Sequence, residues 1–347
     1  MSEPINLYNT DQDANKNANK NANQDKQNAN VHIPVMLHEV KNYLLTNRLD
    51  VLQEKSQENP VNLFDGTLGG GGYTQEFINI ANTHNLNLNQ YSSDLDQTAI
   101  DRVLSYIQCP DHINLELRQG NFADVIEQFE DEFFDGIVVD LGFSSNQLEV
   151  SGRGFSYLHR DEPLDLRYDQ NTSHSCSYKL LAIHNWQQLG KIIYDYSGED
   201  LAARIAKAIY NSNKKTPWTV GEFVDLVITV IPITALKRKN QIMSRVWQAL
   251  RIWVNGEFDS LNKFLPVALT KLNKGGRLVV VSFHSLEDKI VTKFMRDECK
   301  PVSEDDFGNK AFDYKLLTVR PLAPTDAEIT ANPRSRSAMT RVIEKLN

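Results

Sequence analysis

Cysteine is scarce and scattered in this chain: Cys109, Cys176 and Cys299 are all there is, and no two form a CxxC pair. That argues against a disulfide framework and a zinc cluster, and it fits a reducing, cytoplasmic setting. His174 and Cys176 offer half of a ligand pattern with no second half, so no metal is expected. Long apolar runs are lacking too. None approaches the ~20 residues of a membrane span, and the start has no signal-peptide core, so no membrane partner is expected. A positive charge balance is also missing: 37 lysines and arginines against 45 acids give a formal charge of −8. The whole-molecule field therefore repels nucleic acid, and any RNA partner must be held by local basic patches.

Large apolar residues are nearly absent from residues 1–30, where Asn-Lys-Asn-Ala repeats dominate. Such a segment cannot bury enough surface to offset its ordering entropy, which predicts a disordered tail. From about residue 31 a different rhythm begins. Val61–Asp65, Gln90–Asp94, Ile113–Gln119 and Phe134–Leu141 read as strands, with helices predicted over Tyr73–Ala81, Asp96–Ile107 and Ala123–Phe129 between them. Helices at Gly198–Asn211, Val220–Ile231 and Asn240–Val254 follow without strands. The sheet resumes at Gly276–Ser282, then a helix over Leu286–Arg296 and an antiparallel pair, Lys315–Arg320 with Ala338–Glu344. Alternating strands and helices imply an α/β, doubly wound Rossmann-like sheet. Its domain is expected to be discontinuous, over 31–147 and 256–347, with a helical insertion over 148–255.

Between the first strand and its helix lies Asp65-Gly-Thr-Leu-Gly69-Gly70-Gly71-Gly72. Glycines there let backbone approach a ligand without Cβ interference. A dinucleotide fingerprint needs glycines at i, i+2 and i+5, and no start point in this loop supplies them. The loop resembles the Asp-x-Gly-x-Gly-x-Gly motif of class I methyltransferases, with Thr67 in the first glycine place. Asp94 ends the second strand, where an acid can accept from both hydroxyls of a ribose; it signals an adenosine without identifying the cofactor. Phe122, after the third strand, either packs on an adenine or belongs to the core. Asp140-Leu-Gly-Phe143 ends the fourth strand. Amino-methyltransferases acting on bases carry Asn/Asp-Pro-Pro-Tyr/Phe there. The acid and the aromatic match, and the two prolines do not.

With these come His32-Ile-Pro-Val-Met-Leu-His-Glu-Val40, Asp140-Leu-Gly-Phe-Ser-Ser-Asn-Gln147, Arg153-Gly-Phe-Ser156 and Pro163-Leu-Asp-Leu-Arg167. Gln248-Ala-Leu-Arg-Ile-Trp-Val-Asn255, Ser282-Phe-His-Ser-Leu-Glu-Asp288 and Asn332-Pro-Arg-Ser-Arg-Ser337 complete the set. In combination they resemble one family, the RsmH (MraW) small-subunit rRNA methyltransferases, from about His32 to Lys345. The resemblance implies a class I methyltransferase that uses S-adenosyl-L-methionine to methylate a cytidine N4 in 16S rRNA of the small ribosomal subunit, near the P site. It also implies cofactor contacts by Gly71, Gly72, Tyr73, Asp94, Phe122, Asp140 and Gln147. Tyr73 stands where the family usually has His, so a backbone contact would survive and an imidazole contact would not. Asn240-Gln-Ile-Met-Ser-Arg245 replaces the family's His-Pro-Ala-Thr-Arg, and only the arginine matches.

The insertion carries a basic run, Lys237, Arg238, Lys239, Arg245 and Arg251, on a helix whose apolar residues take the core positions. Arg245 and Arg251, with Arg334 and Arg336 near the C-terminus, are the candidate RNA contacts; a solvated basic face is the alternative. Phe155 and Tyr157 either stack on an extruded base or pack in the core. His284 follows the fifth strand and faces the same edge as Asp140, and Ser285 reads as the next helix's N-cap. Two competing readings remain: methylation of another RNA or a DNA position, and a non-catalytic assembly factor that merely binds S-adenosylmethionine.

Overall fold

The computed structural model describes residues 34–142, 152–171, 174–304 and 308–347. The Asn-rich tail, Phe143 and Gln147 therefore lie outside the described residues. Two helices, α1 (Leu37–Leu44) and α2 (Leu49–Glu58), precede the sheet. Then strands and helices alternate: β1 (Val61–Asp65), α3 (Gly72–Thr83), β2 (Leu88–Asp94), α4 (Gln97–Leu104), β3 (Ile113–Gln119), α5 (Phe122–Ile126) and β4 (Phe134–Asp140).

Among the described residues, five α-helices follow: α6 (Cys176–Leu181), α7 (Trp186–Ser197), α8 (Ala202–Asn211), α9 (Val220–Val230) and α10 (Lys239–Asn255). Next come α11 (Glu257–Lys271), β5 (Leu272–Ser282) and α12 (Ser285–Glu298). Within the main sheet, β6 (Tyr314–Leu316) and β7 (Met339–Lys345) end the chain.

In space the seven strands run 3-2-1-4-5-7-6. The first five are parallel, and β7 runs antiparallel between β5 and β6. The chain moves outward from β1 to β3 and then returns to lay β4 against β1. That reversal opens a crevice at the carboxyl ends of β1 and β4, where sheets of this kind bind ligands.

Side-chain alternation explains why the sheet is covered on both faces. Leu63, Val138, Val279, Val281 and Val342 share one core with Val40 and Leu44 of α1 and Phe77 of α3. Their neighbours Phe64, Ile137, Val139, Leu278, Val280 and Ile343 point the other way, onto Phe264 and Leu265 of α11 and Val291 of α12. A third core consists of insertion residues, among them Phe155, Leu189, Ile205, Phe223, Val246 and Trp247.

Several boundaries differ from the pattern. Gly198 does not open a helix: it closes α7 with φ +63°, and α8 starts at Ala202. Helix α11 has no counterpart in the sequence reading because Pro266 sits inside it. The N-cap of α12 is His284, not Ser285; its ring accepts from the Glu287 amide, and Glu287 reaches back to complete a capping box.

Candidate active site

Asp65 ends β1 wholly buried. Its carboxylate accepts from Thr74 Oγ1 at 2.9 Å and from the Thr67 amide at 3.2 Å. Burial pushes its pKa up to about 6, against the pull of those hydrogen bonds. The loop beyond is pinned at both shoulders. The Gly66 amide donates to Val138 and the Leu68 amide to Ser93, each at 2.9 Å. Gly71 has φ +74°, and a Cβ there would lie 2.9 Å from Val103 Cγ2, so only glycine fits. A Cβ on Gly70 would meet nothing within 4 Å, because that residue borders open space. Gly71 N-caps α3, so Gly72 and Tyr73 are the first amides at the helix's positive end.

Tyr73 turns its phenol inward. It is buried, donates its hydroxyl to the Val35 carbonyl and stacks on Phe77. What it can offer a ligand is its backbone amide.

Asp94, at the end of β2, accepts from the Gly69 and Asp96 amides, one on each oxygen, both at 2.8 Å. Each oxygen keeps a second lone pair for a hydroxyl donor. Burial raises its pKa even though both amides favour the charged form. Asp96 beside it caps α4 and forms an ion pair with Arg153 at 2.6 Å, and Arg153 also donates to the Tyr168 carbonyl at 2.8 Å. This arginine ties the segment after β4 to the end of β2.

Asp140 ends β4. Its amide donates to Thr67 Oγ1 at 2.7 Å, so the residue in the motif's first glycine place holds the reacting edge. Its Oδ1 is buried and has no hydrogen-bond partner among the described residues. Burial raises this carboxyl well above the usual range, and the neighbouring charges of Asp65 and Glu287 add to the rise. An orphaned acceptor at a ligand crevice is a costly feature for folding alone.

Beside it opens a small cleft. Thr67, Leu95, Asn121, Phe122, Leu141 and Gly142 line it from the sheet side; Tyr168, Asn255, Glu257 and Phe258 from the insertion and its exit; Ser260, Leu261 and Glu287 complete it. Phe122 meets Phe264 edge-on at 4.9 Å, so it serves core and cleft together. Glu287 is almost fully buried. Burial would raise it, but contact with His284, the Arg251 charge and the Phe283 amide hold its carboxyl below the ordinary value. His284 Nε2 lies 3.0 Å from Glu287 Oε1, and its ring is 5.9 Å from Phe258. It borders the cleft without lining it.

The basic candidates separate. Arg251 is not on the exposed face: it is 8% exposed and grips both oxygens of Glu257, at 2.8 and 2.9 Å. Its burial and this pairing speak against a phosphate contact there. Arg245 is half-exposed, 3.5 Å from the buried Glu199. Arg336 is exposed and Arg334 half-buried. Phe155 stacks on Tyr168 at 5.6 Å and Tyr157 meets Trp247 edge-on at 5.8 Å, so the first is core and the second leans on it. Sequence marks Thr67 only as the residue in the motif's first glycine place, and it assigns no role to Tyr168, Asn255, Glu257, Ser260 or Glu287. Thr67, Tyr168, Asn255 and Glu287 stand in or beside quoted motifs, the one signal available; Glu257 and Ser260 had none.

No described group of His, Cys, Asp and Glu could hold a metal ion, and no described helix is long and apolar enough to cross a membrane. The sheet order, a glycine loop after β1, an acid after β2 and an acid after β4 define a class I methyltransferase dependent on S-adenosylmethionine. The chain belongs to the MraW methylase family, whose profile matches residues 29–346. It is 34% identical over 324 residues to the ribosomal RNA small subunit methyltransferase H of Wolbachia sp. subsp. Drosophila simulans, covering 91% of this chain and 99% of that one. With the enzyme of that name from Polynucleobacter necessarius it shares 35% identity, over 90% and 97% of the two chains. Among solved structures, a Streptococcus mutans protein in complex with SAH aligns with a TM-score of 0.37 and 12% identity, over 91% of this chain and 100% of that one.

The residues present fit the cofactor. Asp94 has lone pairs left for ribose hydroxyls. Leu95, Phe122, Leu141 and Leu261 offer an apolar slot for a purine, and the carboxylate of Glu287, held in its charged form, suits a cationic sulfonium.

Proposed function

We propose that this protein methylates the exocyclic N4 of a cytidine in the decoding region of 16S rRNA, near the P site of the small ribosomal subunit. The names of its relatives support the ribosomal substrate, and the reading is carried by the unpartnered Oδ1 of Asp140 at the strand edge. The N4 lone pair of cytidine is delocalised into the ring. An acceptor on its hydrogens rehybridises the nitrogen and aims it, so positioning provides most of the acceleration. Bound S-adenosylmethionine supplies the electrophilic methyl group. In this reading Gly71, Gly72 and the Tyr73 amide meet the cofactor at the helix start, Asp94 takes its ribose and Phe122 its adenine. Gln147, outside the described residues, completes the set by family resemblance. Thr67 holds Asp140 in place through its backbone amide. Once methylated, the nitrogen is strongly acidic and gives up its proton without a strong base.

The insertion serves as the RNA-recognition part. Lys237, Arg238 and Lys239 are exposed on the turn into α10 and form no ion pair among the described residues. With Arg245, Arg334 and Arg336 they form the candidate phosphate contacts.

The test is transfer of labelled methyl groups to isolated small subunits, to naked rRNA and to DNA, followed by nucleoside analysis. Label recovered as N4-methylcytidine from the subunits is expected. Label in another nucleoside or in DNA would overturn the substrate, and cofactor binding without any transfer would point to an assembly factor.

A further inference from the structure

Beyond Asp140 the chain turns away at Gly142, whose φ of +112° is one that L side chains rarely adopt. The Gly142 carbonyl, two residues past Asp140, accepts from the hydroxyl of Tyr168 at 3.3 Å. The same hydroxyl stands 3.2 Å from Glu257 Oε1. Glu257 is in turn held by both Nε and Nη2 of the buried Arg251. Asn255 steadies the tyrosine from behind: its Oδ1 accepts from the Tyr168 amide at 2.9 Å and its Nδ2 donates to the Leu166 carbonyl at 2.8 Å. One line of contacts thus runs from the insertion's last helix to the edge that carries Asp140.

A phenol has one proton and cannot serve two acceptors fully at once. Arg251 already gives Glu257 two charge-assisted bonds, so the carboxylate needs that proton less than the carbonyl does. Burial, with Glu257 nearby, raises the phenol well above its usual pKa despite the Arg251 charge, and the hydroxyl stays a donor. Tyr168 also lines the cleft, with its ring stacked on Phe155 at an interplanar angle of 11°. Removing the hydroxyl would leave that stack in place.

We propose that Tyr168 is a positioning residue for methyl transfer: it fixes the Gly142 carbonyl, and through it the Asp140 edge, against the Arg251–Glu257 pair of the insertion. The proposal rests on the reading that Asp140 orients the acceptor amine. It gives the insertion a second task, setting the shape of the reacting edge as well as holding RNA.

Tyr168→Phe deletes the hydroxyl alone. The single-turnover rate at saturating cofactor should fall about tenfold, the worth of one hydrogen bond. Calorimetric affinity for S-adenosylhomocysteine should stay as in the wild type, and the melting temperature should fall by no more than a few degrees, the cost of one hydrogen bond. In an Asp140→Ala background, where no acceptor is left to position, the same change should have little further effect. A wild-type rate, weaker S-adenosylhomocysteine binding at unchanged rate, or a full tenfold loss on top of Asp140→Ala would each overturn the positioning role. The substrate used is whichever nucleic acid the wild-type protein methylates, so failure of the ribosomal assignment would be seen separately.

Discussion

Asp65 shows how one buried carboxylate sets the electrostatics of the cleft. Its pKa is raised from 3.8 to about 6 by burial, so the folded protein binds this proton more tightly than the unfolded chain does. The stability that follows is fully present below about pH 3.8 and is lost as pH rises through about 6. Asp65→Asn carries no charge and should therefore gain on the wild type as pH rises. In the cofactor-free protein the gain should reach roughly 2–3 kcal/mol at pH 7.5 and vanish near pH 4. Denaturation at both pH values would check it; a difference independent of pH would contradict it.

The strand-ending acids Asp65, Asp94 and Asp140 were legible in the sequence because each follows an apolar run and precedes a loop. Tyr73 and Arg251 were not. Where their side chains turn depends on partners supplied by other elements, Val35 for one and Glu257, across the helix break at Gly256, for the other.

At the scale of elements, most strands could be read because alternation and buried runs leave a local trace. Helix ends were less legible. Gly198 reads equally well as a start or a stop, and only its positive φ in the fold decides for a stop. Pro266 conceals α11, since an interior proline argues against a helix that tertiary packing nonetheless holds. The junction between the sheet and the segment after β4 left no periodic pattern, because it is made by single polar residues: Arg153 opens a quoted motif, but nothing in the sequence pairs it with Asp96. Arg153 and Asp96 are its clearest example, with side chains only 11% and 9% exposed. Breaking a buried pair leaves the other charge uncompensated, so Arg153→Leu should cost about 3–5 kcal/mol in urea denaturation. A loss below about 1 kcal/mol would show that the pair is dispensable to the junction.

For the whole molecule, the doubly wound class was legible from the order of strands and helices. The 3-2-1-4-5-7-6 order was not, because the insertion of β7 between β5 and β6 is a long-range pairing. The charge of −8 remains the least expected property of an RNA enzyme. It makes local cations matter more, and it makes their contribution measurable. Neutralising Lys237, Arg238 and Lys239 together should flatten the salt dependence of RNA binding by about 2–3 in the slope of log K against log salt. Cofactor affinity should not change. An unaltered slope would move the phosphate contacts elsewhere on the surface.

The proposed reaction turns on Asp140, whose Oδ1 is buried without a partner among the described residues and is proposed to serve both methyl donor and acceptor. Single-turnover methylation at saturating cofactor, compared across wild type, Asp140→Asn and Asp140→Ala, tests it most directly. The alanine variant keeps the apolar strand Gly136–Val139 and should fold, yet lose about 10²–10³ in rate. The asparagine variant retains an acceptor and should be clearly faster than alanine. Equal damage in both would make the carboxylate an obligatory base instead of an aiming group. Near-wild-type turnover in both would remove Asp140 from the reaction and contradict the account.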